Sequence, residues 1–361
     1  MAKILIITNH SYMLYRFRLE FIQELMKNHE VVLSMPFVGH EDDFKALGLR
    51  CFETDVDRRG INPKTDLKLM KRYYDLLKSE RFDMVVTYSI KPNIYAGLCC
   101  SLLGIPYCAN VQGLGTAFQK KGLAQFVTIL YKMAFNKVHT VFFENEGNAQ
   151  EFIDRKILKR EKITVLNGAG INLDAYPMKK YPDHDVMRFL YLGRIMKEKG
   201  IDELFEAVER LHEENESFVL DLVGFFEDEY KGKVEELEKK GIVVFHGFQS
   251  DPVPYYENAD CVVLASYHEG MSNVLLEGAA IGRPLITSNI HGCKEAVEHG
   301  VSGLLCEVKD AESLYQQMKK MLHLTKEERA FMGVQGRRYI EKHFDKKLVV
   351  ANTVAALELK K

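Results

Sequence analysis

Short runs of consecutive apolar residues alternate along this chain with segments whose apolar residues recur every three or four positions. Lys3–Thr8, Glu30–Met35, Met84–Tyr88, Tyr107–Val111 and Thr140–Phe143 are β-type runs. Between them, helical spacing is found at roughly Arg16–Lys27, Leu67–Ser79 and Ile94–Leu103. The segment 165–182, VLNGAGINLDAYPMKKYP, breaks the rhythm with Asn-Gly, a further glycine and two prolines, and reads as an interdomain linker. A second series then begins. Its strands are Arg188–Gly193, Phe218–Gly224, Val243–Phe245, Cys261–Ala265, Pro284–Thr287 and Gly303–Cys306, and its helices are Gly200–Glu214, Tyr230–Lys240 and Ala311–Leu322. The tail Lys326–Lys361 is helical by pattern, with a break near His343–Asp345. Strands that are apolar throughout and alternate with helices predict parallel sheets covered on both faces. The expected class is α/β, with two doubly wound domains in residues 1–170 and 171–345.

Ligands of open parallel sheets bind beyond the carboxyl ends of the strands. Two such edges facing one another would form a cleft for two substrates. One strand end carries the densest candidate chemistry, SYHEGMSNVLLEGAAIGRPLITSNIHG, residues 266–292. A helix is expected from Ser272, whose hydroxyl suits an N-cap, to Gly282, with Pro284 preventing continuation. Its N-terminus offers unpaired N–H groups and partial positive charge, which suit a phosphate. Glu269 lies in the turn, and Glu277 shares a helical face with Asn273, four residues earlier. Each carboxylate could accept bonds from two adjacent sugar hydroxyls. An exposed Glu and a solvated helix face would have the same spacing.

Three other stretches add candidates. YLGRIMKEKGI, residues 191–201, ends a strand at Gly193-Arg194 and carries Lys199 in the following turn. Arg194 and Lys199 could neutralise a diphosphate, and a solvated basic turn has the same composition. Gln112, Gly113 and Gly115 in NVQGLGTAF follow another strand, and Lys91 of Lys91-Pro92-Asn93 is a candidate anion contact. KKGLAQFVTILYKMAFNK, residues 120–137, carries Leu123, Phe126, Val127, Leu130, Tyr131, Ala134 and Phe135 on one stripe, flanked by Lys120, Lys121, Lys132 and Lys137. That pattern fits a helix lying in an anionic membrane surface, and equally a helix facing a core.

Length and composition narrow the function class. At 361 residues two domains are expected, and 47% apolar with 28% charged residues is ordinary for a globular protein. The formal charge of −2 argues against a nucleic-acid binder. The seven cysteines make no C-x-x-C pair, and the twelve histidines make no H-x-x-x-H spacing, so neither a disulfide framework nor a metal site is expected. MAKILIIT enters a strand directly, without signal-peptide design, and no apolar run approaches the roughly 20 residues of a membrane span. The expected location is cytoplasmic.

EGMSNVLLEGAAIGRP resembles the E-x7-E signature of the family 4 glycosyltransferases, retaining enzymes of GT-B architecture with two Rossmann-like domains. Gly193-Arg194 with Lys199, the Asn167-Gly168 loop and GCKEAVEHGVSGLL match in order and spacing. KPNIYAG, VQGLGTAF and FENEGNAQEF resemble a bacterial subgroup that builds capsule, exopolysaccharide or glycan-lipid precursors on a polyprenyl diphosphate. The resemblance implies a UDP-sugar donor that serves as substrate, no cofactor or metal, a lipid-linked saccharide acceptor, and peripheral attachment to the inner face of the cytoplasmic membrane. It implies that Arg194 and Lys199 hold the diphosphate, Glu269 the donor sugar and Glu277 the ribose, with Gly193 and the backbone of Ser272, Asn273 and Val274 near the phosphates. It places Lys91, Gln112, Gly113 and Gly115 on the acceptor side, in a domain completed by the last helix, about 346–361. Gln112 stands where many relatives carry His, and glutamine is no base near neutral pH. NHSYMLYRFR also lacks the paired glycines common in the family. A nucleotide-sugar epimerase of the same shape, or a non-catalytic sugar-nucleotide scaffold, would share the donor pocket; acceptor-dependent release of nucleoside diphosphate separates them.

Overall fold

In the computed structural model the described residues are 1–57, 62–114, 118 and 121–359, with the side chain of Lys121 left aside. The chain divides into two compact units, residues 1–169 with 347–361, and residues 170–346.

The N-terminal unit alternates strand and helix in chain order. It runs β1 (Lys3–Ile7), α1 (Ser11–Met26), β2 (Glu30–Met35), α2 (Glu41–Ala46), β3 (Arg50–Glu53), α3 (Pro63–Ser79) and β4 (Met84–Tyr88). It continues through α4 (Gly97–Leu103), β5 (Tyr107–Val111), α5 (Lys121–Ala134), β6 (Thr140–Phe143), α6 (Glu146–Asp154) and β7 (Ile163–Val165). The seven strands are parallel, in the order β3-β2-β1-β4-β5-β6-β7. The order reverses between β1 and β4, so the switch point of this sheet lies between the ends of those two strands.

The second unit is built the same way. Its elements are β8 (Met187–Leu192), α7 (Ile201–Glu213), β9 (Phe218–Val223), α8 (Lys231–Lys239), β10 (Val243–Gly247) and α9 (Val253–Glu257). β11 (Cys261–Leu264), α10 (Asn273–Ile281), β12 (Leu285–Ser288), β13 (Gly303–Cys306), α11 (Ala311–His323) and α12 (Lys326–His343) follow. Its six parallel strands are ordered β10-β9-β8-β11-β12-β13, with the switch point between β8 and β11. The last helix, α13 (Lys346–Ala356), belongs to the N-terminal unit: Val349, Val350 and Leu357 share a buried cluster with Ile4, Ile6, Leu14 and Phe21.

The inner strands of both sheets are buried on both faces, which is why they read as unbroken apolar runs. Several expectations are corrected. α1 begins at Ser11 rather than near Arg16, because its first turn opens on Ser11, a buried polar position that conceals it. The helix expected from Ile94 opens with a wide turn of π type over Pro92–Ala96 before α4. The elements α2, β3, β7 and α9, of three to six residues each, are too short to show a period.

Candidate active site

The two switch points gather most of the candidate residues, each within its own unit. In the second unit, β8 ends at Leu192 and leads to Gly193-Arg194, while β11 ends at Leu264 and leads to Ser266–Glu269. Lys199 and Glu269 are 70 positions apart in sequence, yet Lys199 Nζ donates to Glu269 Oε1 at 2.5 Å. Gly200 makes that meeting possible. Its φ is +71°, and a Cβ there would stand 2.1 Å from the Ala265 carbonyl oxygen, so the Lys199-Gly200 turn lies directly on the end of β11. The Tyr267 N–H donating to the Glu198 carbonyl at 2.9 Å closes the same junction.

Ser266 Oγ also donates to Glu269 Oε1, at 2.8 Å. Both protein bonds therefore fall on one oxygen of Glu269, whose side chain is mostly buried beside Lys199. Gly292, at φ +89°, brings the loop after β12 against this turn: a Cβ there would lie 2.6 Å from the Gly270 carbonyl. The Ser272 N–H donates to the Gly292 carbonyl at 2.9 Å. Ser272 holds the N-cap position of α10, as expected, but its hydroxyl makes no capping bond. That correction leaves the first turn to be satisfied by something other than Ser272.

Glu277 is 4% exposed, in a helix buried continuously from Leu275 to Ile281. It accepts from Tyr256 Oη at 2.9 Å, so α9 fixes its carboxylate. Sequence reasoning missed Tyr256, since no local pattern links residues 21 positions apart. Arg194 is about half exposed, and its closest acidic neighbour is Glu227 at 3.9 Å, beyond hydrogen-bond length. Its positive charge is therefore available to an anion. His268, next to Glu269, has its pKa lowered by burial and then by the charge of Lys309.

Two further aromatic residues stand at this edge. Phe225 follows β9 and Phe248 follows β10, with ring centroids 6.3 Å apart and Phe248 64% exposed. The Ile195 N–H donates to the Phe225 carbonyl at 2.9 Å, placing this pair beside the Arg194 loop. Their signal was an aromatic directly after a glycine at each strand end, too common a pattern to single out.

In the N-terminal unit, Asn9 after β1 and Ser89 after β4 meet at the switch point, Ser89 Oγ donating to Asn9 Oδ1 at 2.8 Å. Ser89 holds a left-handed backbone, φ +75°, a conformation that concentrates at functional sites. Both line a pocket with Lys91, Asn93, Asn110, Gln112 and Gly113. Thr87 Oγ1 donates to Asn93 Oδ1 at 2.7 Å, Asn93 Nδ2 to the Asn110 carbonyl at 2.8 Å, and Asn110 Nδ2 to the Thr87 carbonyl at 3.2 Å. This buried network fixes the wall of the pocket. Lys91 is less available than expected, because its ammonium donates to Asp66 at 2.7 Å with both side chains mostly buried. Gly115 lies outside the described residues, as does Lys120. Among the described residues lining this pocket there is neither a carboxylate nor an imidazole.

α5 divides the stripe expected from its sequence. Val127, Tyr131, Ala134 and the adjoining Phe135 are buried in the core, so this part of the membrane expectation is corrected. Phe126, Ile129 and Met133 form a second row, 51%, 57% and 56% exposed, with Lys132 beside it. No helix among the described residues is long and apolar enough to cross a membrane. Among them, no group of three or more His, Cys, Asp or Glu is placed to hold a metal ion.

Residues 176–339 match the family described as glycosyl transferases group 1, and residues 3–145 the family described as glycosyl transferase 4-like. The chain is 30% identical over 328 residues to an N,N'-diacetylbacillosaminyl-diphospho-undecaprenol alpha-1,3-N-acetylgalactosaminyltransferase of Campylobacter jejuni, covering 86% of each protein. The chain belongs to the family 4 glycosyltransferases. This glycosyltransferase is also 26% identical over 310 residues to the capsular polysaccharide biosynthesis glycosyltransferase CapM of Staphylococcus aureus, covering 81% of this chain and 80% of that one. Its fold is that of the Anabaena protein HepE, solved in complex with UDP and glucose, with a TM-score of 0.81 at 15% identity over 99% of each chain. The two doubly wound units are thus the two halves of a GT-B enzyme.

Proposed function

We propose that this enzyme transfers a hexose or N-acetylhexosamine from a UDP-sugar to a saccharide carried on a polyprenyl diphosphate, with retention of configuration, in surface polysaccharide or glycan assembly. The observation that carries the reading is the Lys199–Glu269 contact beside α10, with Glu277 buried one and a half turns along the same helix. The name of the Campylobacter relative, which specifies a diphospho-undecaprenol acceptor, supports the acceptor class. UDP in the HepE complex supports the donor.

In this reading Glu277 accepts the ribose hydroxyls, and Phe248 with Phe225 flanks the uracil. Arg194, Lys199 and the backbone N–H groups of Asn273 and Val274 face the diphosphate, near Gly193, while the Ser272 N–H expected to join them is held by the Gly292 carbonyl. Glu269 accepts sugar hydroxyls through Oε2, since its protein bonds are on Oε1. As the bond from the sugar C1 to the phosphate oxygen breaks, its electron pair moves onto that oxygen. Fixed cations and the helix N-terminus stabilise the developing charge in place of a metal ion. The acceptor hydroxyl attacks C1 from the face the phosphate leaves, and its proton passes to the departing phosphate oxygen. Gln112 cannot take that proton, but its amide can orient the acceptor.

The acceptor is membrane-borne in this account, and the exposed row Phe126, Ile129 and Met133 lies in the membrane surface with Lys132 at the anionic headgroups. One experiment tests both claims. UDP release is followed with a lipid-linked acceptor in anionic vesicles, and with a short-chain water-soluble analogue. Release should require an acceptor, and the product should keep the anomeric configuration of the donor. Phe126→Glu with Ile129→Glu should slow transfer to the vesicle-borne acceptor about tenfold or more and spare the soluble one. Equal release without acceptor would defeat the transferase reading, and equal loss with both acceptors would defeat the membrane role.

A further inference from the structure

The first turns of α1 and α2 carry a group of aromatic rings that the account above does not use. Tyr15 and His40 stack face to face, with centroids 4.1 Å apart and an angle of 2° between the ring planes. Tyr12 lies against His40 at 5.5 Å, tilted by 39°, and His10 lies edge-on to Tyr12 at 6.2 Å. Phe44 closes the base of the group, edge-on to Tyr15 at 5.6 Å.

The rings are held in place. His40 Nδ1 bonds Asp43 Oδ2 at 2.7 Å, and Tyr12 Oη accepts from Arg16 Nη1 at 3.2 Å. The Val38 N–H donates to Ser11 Oγ at 3.2 Å and ties the loop after β2 to the start of α1. His40 sits in the left-handed region, φ +63°, which costs a non-glycine residue on the order of 1 kcal/mol. Yet the group is not a closed core. Tyr12 is 37% exposed and Val38 54% exposed.

The group is continuous with the acceptor pocket. Asn9, which lines that pocket, immediately precedes His10, and Gln112 of the pocket wall touches Met13 of α1 through a 3.4 Å contact to Sδ. The outlying rings and the pocket thus occupy one edge of one sheet, beyond the ends of β1, β2 and β4. A pocket of amides and hydroxyls joined to an exposed, fixed aromatic surface has a definite chemical complement. A pyranose carries hydroxyls around its rim and C–H bonds across one face, and that face packs on an aromatic plane.

We infer that Tyr12, His40 and Val38 form a second saccharide subsite, which holds the sugar next to the one being glycosylated. The inference rests on the reading of this unit as the acceptor-binding half. It makes the enzyme sensitive to acceptor length: the pocket takes the terminal sugar through polar contacts, and the shelf takes its neighbour through its apolar face.

Binding tests this without turnover. Saturation-transfer NMR is run on the full chain with two disaccharides, one of N-acetylglucosamine and one of N-acetylgalactosamine. Transfer should concentrate on the ring C–H protons of one sugar unit in at least one of them. Tyr12→Ala with His40→Ala should lower that signal at least fivefold, while Tyr12→Phe, which keeps the ring face, should retain it. Thermal melting within a few degrees of wild type shows that the variants are folded. No transfer from wild type, or an undiminished signal in the double variant, overturns the subsite. So does displacement of the sugar by farnesyl diphosphate with the same dependence on both rings, which would make the shelf a lipid contact. Because the readout is sugar binding, a failure of catalysis would defeat the transferase reading separately.

Discussion

Replacing Arg194 and Lys199 together by alanine is expected to lower kcat about 10⁴-fold, with a much smaller loss in UDP-sugar affinity. Removing one preorganised donor from a developing anion typically costs 10²–10³ in rate, about 3–4 kcal/mol. Two groups acting on the same charge do not add fully, which sets the figure. Arg194 is available, since Glu227 is 3.9 Å away and mostly leaves it to solvent. Lys199 is held by Glu269 and by the turn at Gly200, so its ammonium is aimed before substrate arrives. The single variants should differ in kind. Lys199→Ala also deprives Glu269 of its cation and should disturb sugar binding, whereas Arg194→Ala removes charge alone. A double variant within tenfold of wild type in kcat would remove the diphosphate assignment.

Arg283→Leu is expected to destabilise the second unit by about 4 kcal/mol, the cost of leaving several buried acceptors unpaired. The guanidinium is fully buried. It donates to the carbonyls of Tyr256 at 2.9 Å, Glu257 at 3.3 Å, Lys180 at 2.8 Å and Gly282 at 3.3 Å. Tyr256 and Glu257 end α9 and Gly282 caps α10, so Arg283 satisfies carbonyls that helix termini leave open. Burial lowers its pKa. With a urea dependence of about 2.5 kcal/mol per molar for a unit of this size, the transition should move down by about 1.5 M. Circular dichroism reads that shift, and an unchanged midpoint would show that water or backbone movement replaces the guanidinium. The effect reaches function, because Tyr256 also donates to Glu277. A folded Arg283 variant should therefore bind the donor less well.

How much of this could be read from sequence depends on the range of the interaction. Thr140–Phe143 and Gly303–Cys306 have their observed limits because a strand buried on both faces leaves an unbroken apolar run. β3, with the sequence RCFE, is an edge strand whose polar ends conceal it. α5 shows a different limit. Its period gives a helix, but Phe126 and Val127 are adjacent in sequence and one is exposed while the other is buried. Helical period alone does not say which row meets the core.

The site divides along the same line. Glu269, Ser272 and Glu277 lie within one strand–turn–helix unit, so their common placement at the start of α10 was legible. The groups that hold them were not. Lys199 reaches Glu269 across 70 positions and Tyr256 reaches Glu277 across 21. Lys91 shows the converse, a strand-end cation whose partner Asp66 lies 25 positions away, on α3. A charge on a loop does not disclose whether the fold has already neutralised it.

The central claim is that the second unit binds a uridine diphosphate sugar through Glu277. Calorimetry with a panel of UDP- and GDP-sugars in the presence of a chelator addresses it directly. The account predicts that at least one UDP-sugar binds the wild-type protein without a divalent cation, and that Glu277→Ala weakens it about a hundredfold, the loss of a charged acceptor for two ribose hydroxyls. Binding that is indifferent to Glu277, or a preference for GDP-sugars, would contradict it.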